Sequence, residues 1–331
     1  MTQVGGGSPA AIGPQPRLPR QLVPGLEPTD RIFHGSARVI GMSVLAITGA
    51  IGIFLGYQSI PTLHHYGLHF FTEVDWQPEL NRIGIAAVLV GTLEVALVAM
   101  AVAFPLAFAL ALFISDYAPA RVKSWLVSAV DLMAAVPSII YGLWAFFILV
   151  PLLREHVNPL LISAFGWTGL VSDDNPTGFG YFASGVILAI MVLPIISSLT
   201  REVMSAVPHS QREAVLALGA TRWEMIRMGV LRNARIGIVG GIILGLGRAL
   251  GETMAVTMVI GNTPEIHRSL LSNGASMASV IANEFAEATS DLHRSALIEI
   301  GLALFIVTII VNAIAQLLVW AVTRGAPAQA R

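Results

Sequence analysis

The chain has 331 residues, 55% of them hydrophobic and only 12% charged, with a mean hydropathy of +0.74. Soluble domains carry roughly 25% charged residues, so this composition excludes an ordinary soluble globular protein. Cysteine is absent, which excludes a disulfide framework and a thiolate metal site, and the net charge of −1 says little because charge is sorted by position.

Residues 1–30 are rich in Gly, Pro and Gln without apolar periodicity, which predicts a disordered tail. The first apolar run, Ala37 to Gln58, is too long for a signal-peptide core and has no small-residue cleavage site, so it is expected to stay as a helix. A polar stretch follows with His64, His65, His69, Glu73, Asp75 and Glu79; the three histidines have no second cluster that would complete a metal site. Further apolar runs cover Ile83–Ile114, Ser124–Leu153, Tyr181–Leu199, Ile236–Ile260 and Ala296–Val322. Each is long enough to cross a bilayer. Helix is the expected form, because each backbone polar group in lipid needs a partner within its own segment. The expected architecture is all-α, with six transmembrane helices in one domain over residues 31–325 and a short tail at 326–331. Between the spans lie a polar turn at Asp116–Lys123 and loops at Arg154–Gly180 and Gly261–Ser295.

Basic residues set the orientation. One set of loops holds only Arg82, Arg154, Arg268 and Arg294; apart from Arg248, every other Lys and Arg falls on the opposite set. This asymmetry predicts that both termini and the segment Arg201–Arg235 face the cytoplasm.

Within that segment, Ser210-Gln-Arg-Glu213 and Thr221-Arg-Trp-Glu224 both have capping-box spacing, and Gly219 suits the position just past a helix end. The pattern predicts helix, glycine break, helix. Two readings are open: an amphipathic hairpin lying on lipid headgroups, or a rigid knob that meets a cytoplasmic partner. Glu213 either caps its helix or also touches that partner.

The fifth span carries Arg248 and Glu252, four residues apart and so expected on one helix face. Gly245, Gly241 and Gly237 fall on the same face, where small residues let another helix approach closely. Each charge costs about 2.5–3.5 kcal/mol near the bilayer centre, so the pair is expected to face protein or water. It either locks helix packing or lines the path of an anion. Arg suits an oxyanion because its planar fork binds two oxygens at once. Glu94 and Asp131 also fall inside spans and either face a pathway or hydrogen-bond a neighbouring helix. Glu299 is expected to reach toward the interface, Asn312 and Gln316 to hydrogen-bond between helices, and Pro105, Pro137 and Pro194 to kink or break their helices. Met277, Val280, Ile281 and Phe285 have the spacing of a short amphipathic helix outside the membrane.

Glu213-Ala-Val-Leu-Ala-Leu-Gly219, followed by Val230-Leu231, resembles the EAA loop of ABC-importer permeases, with Val215 for the second Ala and Arg232 where a closing Pro is usual. Gly247-Arg-Ala-Leu-Gly-Glu-Thr-Met-Ala-Val256 resembles the phosphate-specific transport permeases of the PstC family, and its Met254 favours that branch over the sister PstA permeases. Ala135-Val-Pro-Ser-Ile-Ile-Tyr-Gly-Leu-Trp144, Ser279–Ala288 and Gly301–Phe305 are similar to other stretches of the same family, so the likeness runs from about Asp30 to Ala321. It implies a MetI-like, type I ABC importer permease in the inner membrane, not itself an enzyme. It implies a homologous PstA-like permease, a PstB-like ATPase dimer, a PstS-like phosphate-binding protein outside, and no nucleic acid. Glu213, Ala214, Gly219 and Ala220 are then the ATPase-coupling residues, and Arg248 with Glu252 the substrate-pathway residues, with Glu94 and Asp131 weaker candidates. ATP and magnesium belong to the partner; the sole lysine, Lys123, follows Val122, so a Gly-Lys-Ser/Thr phosphate loop is absent. A permease for sulfate, molybdate or another oxyanion, an ATP-independent secondary transporter or channel, and a non-transporting scaffold are the alternatives.

Overall fold

Prolines and caps decide where the helices of this chain begin and end. The computed structural model describes residues 28–80, 82–172 and 177–323. Most of the expected N-terminal tail and all of 326–331 lie outside the described residues, whereas Pro28–Asp30 already belong to the first helix, α1 (Pro28–Gln58). Met1–Ile51 and Gly52–Arg331 form two compact units, so the division falls inside α1.

The second unit continues with α2 (Ile60–Tyr66) and a two-stranded hairpin of β1 (Trp76–Gln77) and β2 (Arg82–Ile83), antiparallel with Trp76 opposite Ile83. Then come α3 (Ala86–Tyr117), α4 (Ala120–Ala135), α5 (Ser138–Thr168), α6 (Tyr181–Ser205), α7 (His209–Ala217), α8 (Arg222–Leu250), α9 (Met254–Thr257), α10 (Met277–Glu284) and α11 (Asp291–Thr323). Among the described residues, six helices are long and apolar enough to cross a membrane: α1, α3, α5, α6, α8 and α11. This is the six-span, all-α architecture expected from the apolar runs.

The boundaries differ from the expected ones at two spans. The third crossing is Ser138–Thr168, not Ser124–Leu153. Pro137 forces extended backbone on Val136 (φ −71°, ψ 128°), which ends α4 at Ala135 and starts a new helix. Arg154-Glu-His156, expected in a loop, lies inside α5, which passes it in a π turn at Leu153–Val157 and runs on over Pro159. The fifth span begins at Arg222, not Ile236. Thr221 starts it with a capping box to Glu224, and without a proline at Arg232 the helix runs on through a π turn at Ile226–Leu231. It then stops at Leu250, ten residues early. Pro105 and Pro194, by contrast, sit inside continuous helices.

α6 is the centre of the bundle. On one side it meets α3, whose Ala96, Ala99, Ala103, Ala107 and Ala111 are all buried. On the other it meets the glycine face of α8: a Cβ on Gly237 would lie 2.4 Å from Val203, one on Gly245 2.7 Å from Ile196, and Gly241 is packed beside Leu199. Without a hydrophobic drive between helices in lipid, close backbone approach of this kind is what holds them.

At the end of the bundle where α6 and α11 begin, α2, the hairpin, α10 and the start of α11 share a separate apolar core built on Phe70, Trp76, Ile85, Met277 and Val280. Trp76 Nε1 donates to both carboxylate oxygens of Glu284 at 2.9 and 3.0 Å, and His293 Nε2 lies 3.0 Å from Glu284. The short helix expected around Met277 is α10, but it ends at Glu284 and leaves Phe285 exposed. Glu299 does not reach an interface: it is 1% exposed and its Oε2 is buried without a partner, because Ala296, Leu297 and Ile300 seat that stretch of α11 in the same core.

Candidate functional site

The fifth span is interrupted where its two charges meet. Gly251 caps α8, its N–H still bonding to Gly247 O at 3.3 Å; Glu252 and Thr253 are not helical, and the four-residue α9 follows. Arg248 Nη2 lies 3.1 Å from Glu252 Oε2, so the expected ion pair forms, but across a helix end and not along one continuous face. The two partners are unequally placed. The Glu252 side chain is 4% exposed and that of Arg248 is 46% exposed. Beyond the arginine, the Ala255 N–H points at Glu252 Oε1 from 3.5 Å, at the limit of a hydrogen bond. The carboxylate is therefore buried, and among the described residues its ion pair is with one guanidinium that is itself half-exposed.

A second interruption, at Val136–Pro137, belongs to a neighbouring element. Gly142 of α5 packs on α9, where an added Cβ would be 2.7 Å from Met258 Sδ and 3.1 Å from Ala255 Cα. Tyr141 Oη donates to Met133 O at 2.8 Å and ties α5 back to α4 across the proline break. The Asn312 side chain stands about a van der Waals contact from Gly247, 3.8 Å from where its Cβ would be. Arg248, Glu252 and the α5–α9 contact thus gather around one broken segment. Glu94 on α3 is half-buried and Asp131 on α4 is exposed; among the described residues neither is ion-paired, and neither joins the Arg248–Glu252 pair. That the helix stops between the two charges is not visible in the sequence, because Gly251 is one of several glycines in this span and the others lie within the helix.

The arginine-rich segment is a knob made of α7, the break at Gly219 and the first turn of α8. Gly219 takes φ +83°, as its position past a helix end requires, and its N–H bonds to Leu216 O at 2.9 Å. The capping box at Thr221 forms: Glu224 N donates to Thr221 Oγ1 at 3.3 Å and Thr221 N to Glu224 Oε2 at 2.8 Å. The one expected at Ser210 does not, because Pro208 is the cap residue and Ser210 is already inside α7. Glu213 is consequently free of capping and exposed, as are Ala214 and Gly219, with Ala220 half-buried. Around them, Leu218 is 88% exposed, and Leu216, Trp223 and Met228 are exposed as well. These exposed apolar groups lie on both sides of the glycine break.

A family model described as "Binding-protein-dependent transport system inner membrane component" matches residues 103–324. A phosphate transport system permease protein PstC from Mesorhizobium japonicum is 42% identical over 87% of this chain and 89% of its own length. The PstC of Haemophilus influenzae is 40% identical over 88% and 93%, and a probable PstC of Methanocaldococcus jannaschii 38% identical over 79% and 84%. Among solved structures, a bacterial ABC transporter that imports the acidic polysaccharide alginate matches 88% of this chain and 99% of its own with a TM-score of 0.55 at 16% identity, which speaks for the fold alone. With the family's sequence running through both the interrupted fifth span and the knob, the chain belongs to the PstC family of phosphate transport permeases, multi-pass membrane components of binding-protein-dependent ABC importers.

Proposed function

We propose that this chain is one of two homologous permeases that enclose a path for inorganic phosphate, driven by a separate ATPase. The observation that carries the reading is the Arg248–Glu252 pair at the broken fifth span: the carboxylate is buried and the guanidinium is half-exposed. In that arrangement Glu252 fixes Arg248, while the free edge of the guanidinium is available to an anion. A phosphate oxyanion presents two oxygens to such a fork, and its charge is offset where it leaves water. Glu252 keeps the cation from binding so strongly that release fails.

The basic side of the molecule, with both termini, is read as cytoplasmic from its arginines; six crossings return the chain to the side it started from. Glu213, Ala214, Gly219 and Ala220 then face the ATPase dimer, with Leu218 and Trp223 as apolar anchors of the contact. ATP and magnesium stay on that partner. A phosphate-binding protein delivers substrate at the opposite side. ATP binding closes the ATPase dimer and moves the knob; since α8 is continuous from Arg222 to Leu250, displacement at its first turn is carried along a rigid rod to Arg248.

The test is uptake of labelled phosphate into vesicles holding the full complex, with and without ATP and with excess unlabelled sulfate. ATP-dependent uptake that sulfate does not compete supports the reading. Arg248→Gln is expected to abolish it while the complex assembles and hydrolyses ATP. Uptake without the ATPase, or equal competition by sulfate, rejects the reading in favour of a secondary transporter or a general oxyanion permease.

A further inference from the structure

α8 is not the only route out of the knob. The end of α3 is a π turn, Phe113–Tyr117, and its Asp116 side chain is 3% exposed. Arg212 of α7, one residue before Glu213, pairs with Asp116 Oδ1 through Nη1, and through Nη2 it donates to Met204 O at 2.7 Å, near the end of α6. Arg222, the first residue of α8, donates to the backbone carbonyl of the same Asp116 and lies over the Tyr117 ring at 4.9 Å. Asp116 is thus gripped by its side chain from α7 and by its backbone from α8.

We propose that Asp116 is a positioning residue of transport: through Arg212 and Arg222 it delivers the movement of the knob into α3, so that the second span moves with the fifth. This rests on the reading of the knob as the ATPase contact. The physical reason lies in how the two kinds of contact respond to a push. Beneath the clamp, Phe108 and Leu112 of α3 pack against a buried cluster that includes Met204, Met225 and Ile226, an apolar contact that holds surfaces together but lets them slide. A charge-assisted fork is directional and does not slide. α3 carries the alanine face on which α6 rests, so moving its end shifts one wall of the bundle while α8 shifts the other.

The experiment uses the complete complex in proteoliposomes and reads labelled-phosphate uptake and ATP hydrolysis on the same vesicles. The variants are Asp116→Asn, Arg212→Gln and the double variant. Either single change strands one buried charge and can harm folding; the double change removes both and leaves none stranded. All variants that assemble are expected to hydrolyse ATP at close to the unaltered rate while uptake per ATP falls by about ten-fold, within the usual span of coupling energies. If the double variant restores uptake per ATP, the pair only stabilises the fold and the proposal is overturned. Loss of the ATPase from the purified double variant also overturns it, since the pair then belongs to assembly. A complex with the unaltered chain that hydrolyses ATP without moving phosphate fails the underlying functional reading, not the clamp.

Discussion

Removing either partner of the Arg248–Glu252 pair should not cost the same. Arg248→Gln leaves the Glu252 carboxylate, 4% exposed, with only the Ala255 N–H at 3.5 Å. Stranding one charge of a fully buried pair costs about 3–5 kcal/mol. Because Arg248 itself is 46% exposed, part of its attraction is already screened, and about 2–3 kcal/mol is the appropriate figure here. Glu252→Gln leaves a guanidinium that can turn to water or headgroups, so the loss is that of a half-exposed pair, about 1 kcal/mol or less. Midpoints move by roughly 2–4 °C per kcal/mol in domains of 150–250 residues. Arg248→Gln should therefore lower the unfolding midpoint of the purified complex by about 4–12 °C and Glu252→Gln by about 4 °C at most, compared at one scan rate because such unfolding is commonly irreversible. The double variant, with no buried charge left, should regain part of the loss seen in Arg248→Gln. Equal losses, or a greater loss on removing Glu252, would mean that the arginine is the buried partner in the assembled complex, and the anion-facing guanidinium would have to be abandoned.

Gly245→Ala should destabilise the complex by about 1–3 kcal/mol, since its Cβ would meet Ile196 and Val192 at 2.7–2.8 Å; Gly240→Ala, with open space around it, should be neutral or gain about 0.5–1 kcal/mol by helix propensity. Thermal midpoints of the two variants, measured side by side, check both. Leu218→Asp should reduce recovery of the ATPase with the purified permease without lowering the permease's own yield, because Leu218 is 88% exposed and packs nothing in this chain; unchanged recovery removes it from the docking surface. Tyr141→Phe loses the bond to Met133 O across the proline break and should cost about 1 kcal/mol, read as a lower midpoint.

What the sequence makes legible here is set by how far each signal reaches along the chain. Six apolar runs announce six spans, since hydropathy is a property of the run itself. Their ends are less visible. Arg154-Glu-His156 and Arg222–Arg235 lose hydropathy without containing a helix breaker, so the helices pass through them, and only the cap at Thr221 marks where α8 truly begins. Pro137 is a visible breaker, yet apolar residues on both sides hide which half crosses. The knob's exposed corner follows from local rules, Gly219 past a helix end and a capping box two residues on, whereas Pro208 displaces the other expected cap by controlling backbone geometry from outside the motif.

The two charge clusters divide along the same line. Arg248 and Glu252 are four residues apart, so their contact is visible in the sequence, although the helix end between them is not; Gly251 adopts φ −96° and carries no left-handed signature. Asp116 and Arg212 are ninety-six residues apart and sit in a turn and a loop that each look solvated when read alone. They meet only because α6 packs along the alanine face of α3, so that the two helices end together beside α7. The contact at the broken fifth span can thus be placed by local spacing, while the contact between α3 and α7 exists only as a consequence of packing. A change in the alanine face of α3, far from any charge, should accordingly disturb the clamp before it disturbs Arg248.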